Sequence, residues 1–340
     1  MSKSLPKIST QIDTEEVHNL MTTNYKQISL FWVNHQLDWI NGAYRSFKDH
    51  DKFLIIIYLI NKTLDFYSKN FVKLSYEETY AKDIIEIEKF NVIEISKNLK
   101  IPKESTRRKI IELEKKGVIK RTNKGIVVDR SSFPFVKPQD SIIRTSRFLS
   151  KFSKILLNGK ILKRSFTSEE IQSNIEENFS YIWKLYYELQ IPMVTSWKKH
   201  FKDLATFHVW GTCQANQINN ISKNGSLNNR LDSFYREIFD NRNDLRSQQI
   251  GLNAMSISEI TGIPRATVVR KLNSLIKSKY LIIDENKRYS PSGLYKNDLT
   301  QTHMQIIKNL SIFSSGVYNL LIAREETSKK FETPFYLKPF

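Results

Sequence analysis

The sequence predicts a mainly α-helical fold with small β-hairpins, arranged as two units in tandem, 1–158 and 159–340. Three observations predict it. Long segments carry apolar and aromatic residues at three- and four-residue spacing, the period of an amphipathic helix. The 340 residues include only 10 Gly and 9 Pro, so few breakers interrupt those segments. And the two halves resemble each other through three anchors in the same order.

The central anchor sets residues 95–127 over 257–289 at a constant offset of 162. Its 33 positions hold 8 identities: Ile95/Ile257, Ser96/Ser258, Ile101/Ile263, Pro102/Pro264, Arg108/Arg270, Lys109/Lys271, Leu113/Leu275 and Lys115/Lys277. Upstream, Phe47-Lys48-Asp49 and Phe53 match Phe201-Lys202-Asp203 and Phe207 at an offset of 154. Downstream, the amphipathic run 147–157 resembles 308–321. A duplicated unit of roughly 25–157 and 179–321 follows.

The elements read in order. Each unit opens with an aromatic amphipathic helix: 25–48, with Trp32, Trp39 and Tyr44, against 175–200, with Trp183, Tyr186 and Trp197. A second helix follows, 51–70 against 203–220, then a more polar stretch. A compact motif comes next. Helices 140–157 and 299–323 close the units, with Pro134 and Pro138 punctuating the entry to the first and Asn158-Gly159 ending it. The tail from Glu325 is polar, then aromatic.

In the second copy of the motif, Ile257 and Ile260 give a short helix one apolar face. Gly262 stands where a tight turn between helices calls for positive φ. Ile263 plugs that turn and Pro264 starts the next helix. Val268, Leu272 and Leu275 form an inward stripe, leaving Arg265, Thr267, Arg270 and Lys271 on the other side. Residues 280–283 read as a strand, 284–287 as a turn, and Arg288-Tyr289 as the start of the return strand. In the first copy, Ile95 and Leu99 line the short helix, Ile101 is the plug, and Ile110 and Leu113 mark the stripe. Lys103, Glu104, Ser105, Arg107, Arg108 and Lys109 crowd the exposed side. Residues 118–122 and 126–128 form a hairpin around Asn123-Lys124-Gly125. Basic residues outnumber acidic ones 11 to 3 over 97–124 and 7 to 3 over 259–290.

Helix, turn, helix and hairpin is the winged helix-turn-helix arrangement. The run from Gly262 to Leu272 resembles the recognition-helix signature of bacterial winged helix-turn-helix regulators of the MarR, IclR and Crp classes. The resemblance covers about 35 residues per copy, and the helices around each motif look most like those of MarR. It implies a MarR-like pseudo-dimer in one chain, with helices 25–48, 140–157, 175–200 and 299–323 as the shared core. It also implies double-stranded DNA as the partner. In Crp-like proteins the first two residues of the recognition helix and one about four further on read bases. By position these are Arg265, Ala266 and Arg270, and Lys103, Glu104 and Arg108; Ala266 departs from the polar residue usual there. Lys120, Arg121, Lys124, Lys287 and Arg288 are the corresponding wing contacts. An Arg fork matches guanine O6/N7, whereas phosphate contacts set register without reading sequence. The aromatic helices imply either core packing or a pocket for a small-molecule effector of unspecified chemistry.

Composition is consistent with a polyanionic partner, since 53 Lys+Arg against 35 Asp+Glu give a net charge of +18. The chain is rich in Lys, Asn and Ile, as products of AT-rich genomes tend to be, so mutational bias is expected to account for part of the Lys excess. Cys213 is the sole cysteine, which excludes an intrachain disulfide and a cysteine-based zinc site and fits a reducing cytoplasm. Met1 to Lys7 are not followed by an apolar segment, so no signal peptide is expected. The apolar run 53–60 is too short to span a bilayer, and no membrane partner is expected. Asp49-His50-Asp51 reads as a turn between helices, and His200 and His208 lack metal-ligand spacing. Phosphate-loop, dinucleotide and nucleophile-elbow glycine motifs are missing, so neither catalysis nor a cofactor is expected. The sequence therefore predicts a cytoplasmic transcriptional regulator, open to further self-association of whole chains. A plasmid- or phage-type replication initiator and a tandem protein-interaction scaffold are the alternatives.

Overall fold

The computed structural model describes residues 11–123, 125–132, 138–224, 230–231, 233–234, 251–292 and 297–331. It is mainly helical, with a small three-stranded antiparallel sheet and a two-stranded one. The first half runs α1 (Thr14–Thr23), α2 (Tyr25–Phe47), α3 (His50–Lys69), α4 (Tyr76–Tyr80), β1 (Ile84–Ile87), α5 (Val92–Leu99), α6 (Lys103–Lys115), β2 (Ile119–Thr122), β3 (Gly125–Asp129) and α7 (Gln139–Asn158). The second runs α8 (Ser168–Glu177), α9 (Phe179–Phe201), α10 (Leu204–Asn224), α11 (Ala254–Thr261), α12 (Arg265–Lys277), β4 (Leu281–Ile283), β5 (Tyr289–Pro291) and α13 (Asn297–Phe331).

Element bounds recur at the two offsets visible in the sequence. α1, α2 and α3 start 154 residues before α8, α9 and α10, and α5 and α6 stand 162 residues before α11 and α12. Local chemistry recurs with them. Lys48 (φ 54°) and Lys202 (φ 65°) end α2 and α9 in a positive-φ conformation. Asp49 then caps α3, accepting from the backbone N–H groups of Asp51 and Lys52. Its counterpart Asp203 accepts from the Thr206 N–H at 2.8 Å. The Asp-His-Asp run is thus a helix cap, with His50 buried behind it.

The structure adds elements that periodicity did not predict. α1 and α8 are only ten residues long, and each buries few side chains: Val17 and Met21 in α1, Ile171, Asn174 and Ile175 in α8. Their caps are the legible signal. Asp13 accepts from the Glu15 N–H, and Thr167 with Glu170 closes a capping box. β1 lies in the stretch read as polar. Its four residues alternate exposed and buried, and it pairs with β3 on the edge opposite β2. In the second half, among the described residues, a bridge between Leu252 and Tyr289 lies on the corresponding edge of β5. Ile260 is 40% exposed, contrary to its reading as apolar-face partner of Ile257; the buried neighbour is Thr261, whose hydroxyl donates to the Ile257 carbonyl.

One continuous core runs through both halves. α3 packs on α9 and α2 on α10; α1 packs on α13 and α7 on α8. Matching α2 with α9, α3 with α10, α1 with α8 and α7 with α13 turns each of these contacts into the other, the reciprocity of a two-fold interface. Trp183, Trp210, Tyr186, Phe152 and Phe313 fill the interior. Leu299–Glu325 is long and apolar enough to cross a bilayer by composition, but 56% of its most apolar window is buried, against α1, α8 and α9 among others.

Polar groups also cross between the halves. Asn34 of α2 and Asn219 of α10 exchange amide hydrogen bonds. His208 Nε2 lies 2.7 Å from Asn41 Oδ1, and His50 Nε2 lies 3.0 Å from His208 Nδ1. With both imidazoles neutral and the Asn41 oxygen accepting, each ring carries its proton on Nε2. Burial pushes His50 down to about 4 and His208 well below its ordinary value; burial likewise takes His35 and His303 to about 3. Because the folded values are depressed, the unfolded chain binds protons first as pH falls through 6.5. Stability present at neutral pH is therefore lost progressively between pH 6.5 and about 3. Thermal melts followed by circular dichroism should show a falling midpoint from pH 7 to 5, and a flat midpoint would contradict neutral buried histidines.

Candidate nucleic-acid interface

α5 and α6 are joined by a three-residue turn, as are α11 and α12. Lys100 (φ 51°) and Gly262 (φ 68°) supply the left-handed residue. Ser96 donates to the Ile101 carbonyl at 2.7 Å, and Ser258 donates to Ile263 at the same distance. Pro102 and Pro264 open α6 and α12 with φ of −53° in both. Ile95, Leu99, Ile101, Ile110 and Leu113 are buried in the first motif, and Ile257, Ile263, Val268, Leu272 and Leu275 in the second.

Packing of that stripe turns the opposite face outward. Lys103, Glu104, Arg107 and Arg108 are exposed on α6, with Ser105 half-buried; Arg265 and Arg270 are exposed on α12, with Thr267 half-buried. Lys120 and Arg121 are exposed on β2, and Lys287 and Arg288 are exposed in the β4–β5 turn. Asp284 organises that turn, accepting from the Arg288 N–H at 2.8 Å, and Lys287 takes φ 56°. Lys124 lies outside the described residues.

Two predicted contact residues point the other way. Lys109 binds the Asp49 carboxylate, and Lys271 binds Asp203 at 2.6 Å. Their side chains are only 13% and 17% exposed. Each lysine joins its motif to the cap of the long helix behind it. Burial opposes ionisation of both aspartates, but the lysine hydrogen bonds and charges hold them below the usual carboxylate range. The signal was in the sequence, because Asp49/Asp203 and Lys109/Lys271 are both internal identities. Spacing alone does not show that they meet.

The outward faces differ electrostatically. Arg107 pairs with Glu104 at 2.8 Å, Arg108 lies 3.9 Å from Glu112, and Arg121 pairs with Glu114 at 2.9 Å. α12 has no acidic residue, and among the described residues Arg265 and Arg270 have no ion-pair partner. Asn273, three residues beyond Arg270, is exposed on the same helix.

Away from these faces, a cleft between α2, α9, α10 and α13 is walled by Trp32, Trp197 and Phe207. The Gln36 amide and Gln214 Nε2 line it, buried and without a hydrogen-bond partner among the described residues. Among the described residues, no group of His, Cys, Asp and Glu has metal-binding geometry. No family model, curated protein or solved structure matches the chain.

The two lysines and the outward arginines should separate in a stability measurement. Lys109→Met and Lys271→Met should each cost about 1–2 kcal/mol, Lys109 more because Asp51 also faces it. Arg108→Ala and Arg270→Ala should stay within about 0.5 kcal/mol of wild type. Urea unfolding midpoints check both, and equal losses at all four positions would remove the distinction.

Proposed function

We propose that this chain is a cytoplasmic, sequence-specific double-stranded DNA-binding transcriptional regulator. It carries two winged helix-turn-helix units, whose helices α6 and α12 enter successive major grooves. The reciprocal packing of the two halves supports a pseudo-dimer, and two readers fixed in one chain match the two half-sites such a regulator binds.

The observation that carries the reading is what the internal identities do. Ile95/Ile257, Ile101/Ile263 and Leu113/Leu275 are buried. Ser96/Ser258 and Pro102/Pro264 shape the turn, and Lys109/Lys271 bind the cap aspartates. Lys115/Lys277 sit in the last helical turn, where a cation complements the helix dipole. Arg108/Arg270 shares none of these tasks: Arg108 lies 3.9 Å from Glu112 on its own helix, and Arg270 has no ion-pair partner among the described residues. Both copies retain an exposed arginine midway along the helix, where a guanidinium reaches a groove floor or a phosphate. The unpartnered glutamine amides in the aromatic cleft support a small-molecule effector between the helices that carry the two units.

The test is recovery of fragmented host DNA by the purified protein at about physiological salt, followed by sequencing. Sharp peaks with a shared motif upstream of genes are expected. Peaks clustered at an origin would replace the regulator by a replication initiator, and no recovery would favour a protein-interaction scaffold. On the recovered site, Arg108→Ala, Arg265→Ala and Arg270→Ala should each cost about 1–3 kcal/mol and relax one base position. Unchanged affinity would remove these side chains from the interface. The two helix faces differ, so the preferred site should be asymmetric; a perfect palindrome would point instead to a homodimer of whole chains.

A further inference from the structure

A buried ammonium of the opposite half hydrogen-bonds the first motif; α11 of the second motif packs on α2 of the opposite half without such a bond among the described residues. Lys198 of α9 is 4% exposed, and its ammonium donates to Asp51 Oδ1 at 3.0 Å and to the Leu99 carbonyl at 3.2 Å. Leu99 ends α5, so the buried cation holds an otherwise open helix-terminal acceptor. Asp51 also faces Lys109 of α6 at 4.0 Å. A continuous ionic path therefore runs from α9 of the second half, through the start of α3, to both helices of the first motif. Within the first half, Lys52 of α3 also pairs with Glu112 of α6 at 2.5 Å.

The corresponding positions in the second half lack these groups. At the offset of 154, Ala205 stands for Asp51, Thr206 for Lys52, and Tyr44 takes the place of Lys198; at 162, Ser274 stands for Glu112. Among the described residues, Lys271–Asp203 is the one ion pair joining α12 to the rest of the fold. No side chain among the described residues donates to the Thr261 carbonyl, the counterpart of Leu99.

We infer that Lys198 is a positioning residue: it locks α5 and α6 to the second half, so α6 is the fixed reader and α12 the adjustable one. The physical reason is the cost of moving a buried ammonium. Rotating the first motif as a body would strip Lys198 of the Leu99 carbonyl and draw Lys109 away from Asp51, while the ammonium remains out of water. Rotating the second leaves only a pair whose aspartate is nearly half exposed. The consequence for DNA rests on the proposed function: a fixed α6 sets register, and α12 adapts to the second half-site.

The test uses the full chain in two arms. In the free protein, amide hydrogen exchange is compared between wild type, Lys198→Met and Lys198→Arg. Lys198→Met should accelerate exchange in 92–115 about tenfold, leave 254–277 unchanged, and be reversed by Lys198→Arg. Asp51→Asn, which keeps the residue's place in the first turn of α3, should move 92–115 in the same direction and serves if Lys198→Met does not fold. In the second arm, duplexes selected from a random pool by the wild-type protein receive one or two base pairs between the half-sites. Wild type should lose about tenfold in affinity on insertion and Lys198→Met markedly less. Unchanged exchange in 92–115 overturns the lock. Changed exchange with an unchanged spacing profile overturns its role in register. If the pool yields no enriched duplex, the DNA reading fails, and the exchange arm still decides whether Lys198 holds α5 and α6.

Discussion

The fold depends on the crossed packing of α2 and α3 with α9 and α10. Neither half buries its aromatic helices alone: the apolar side of α3 is covered by α9, and that of α2 by α10. Trp183, Tyr186 and Trp210 are almost fully buried in the resulting core. Burial of side chains this large supplies the dominant favourable term, so each half is a template for the other. The N-termini of α3 and α10, from which the two basic motifs are held, inherit their positions from this core.

Electrostatics then decides orientation. An apolar stripe specifies which face of α6 or α12 turns inward, but it is tolerant of sliding and tilt. The lysine–aspartate contacts are directional. Lys109 and Lys271 pin the middle of each helix to the cap of the helix behind it, and Lys198 extends the connection across the halves on one side only. The symmetry of the apolar core and the asymmetry of the ionic contacts make two similar motifs with unequal freedom. The same division holds on the outer faces, where the arginines of α6 have carboxylate neighbours and those of α12 have none among the described residues.

Buried polar groups mark where the halves meet. The His50–His208–Asn41 chain and the Asn34–Asn219 pair place hydrogen bonds at specific registers of otherwise greasy helices. Such groups add little net stability when satisfied and cost more when mispaired, so they discriminate against shifted packings.

The sequence by itself determined the local elements: the long aromatic helices, the Gly262 turn with its Ile263 plug, the proline-started basic helices and the hairpins. Each follows from side-chain periodicity or from the φ/ψ preferences of single residues, which act over a few positions and are readable in a string. It also carried the two offsets, because the identities at 154 and 162 are readable in the string. It did not reveal α1, α8 and β1, whose apolar patterns are too short to stand out, nor that Ile260 faces outward. Only the tertiary structure decided that Lys109 and Lys271 turn inward while Arg108 and Arg270 stay in water. A lysine and an arginine on the same basic helix have the same sequence signature. What separates them is a carboxylate 60 or more residues away, brought within hydrogen-bond reach by the packing of another helix.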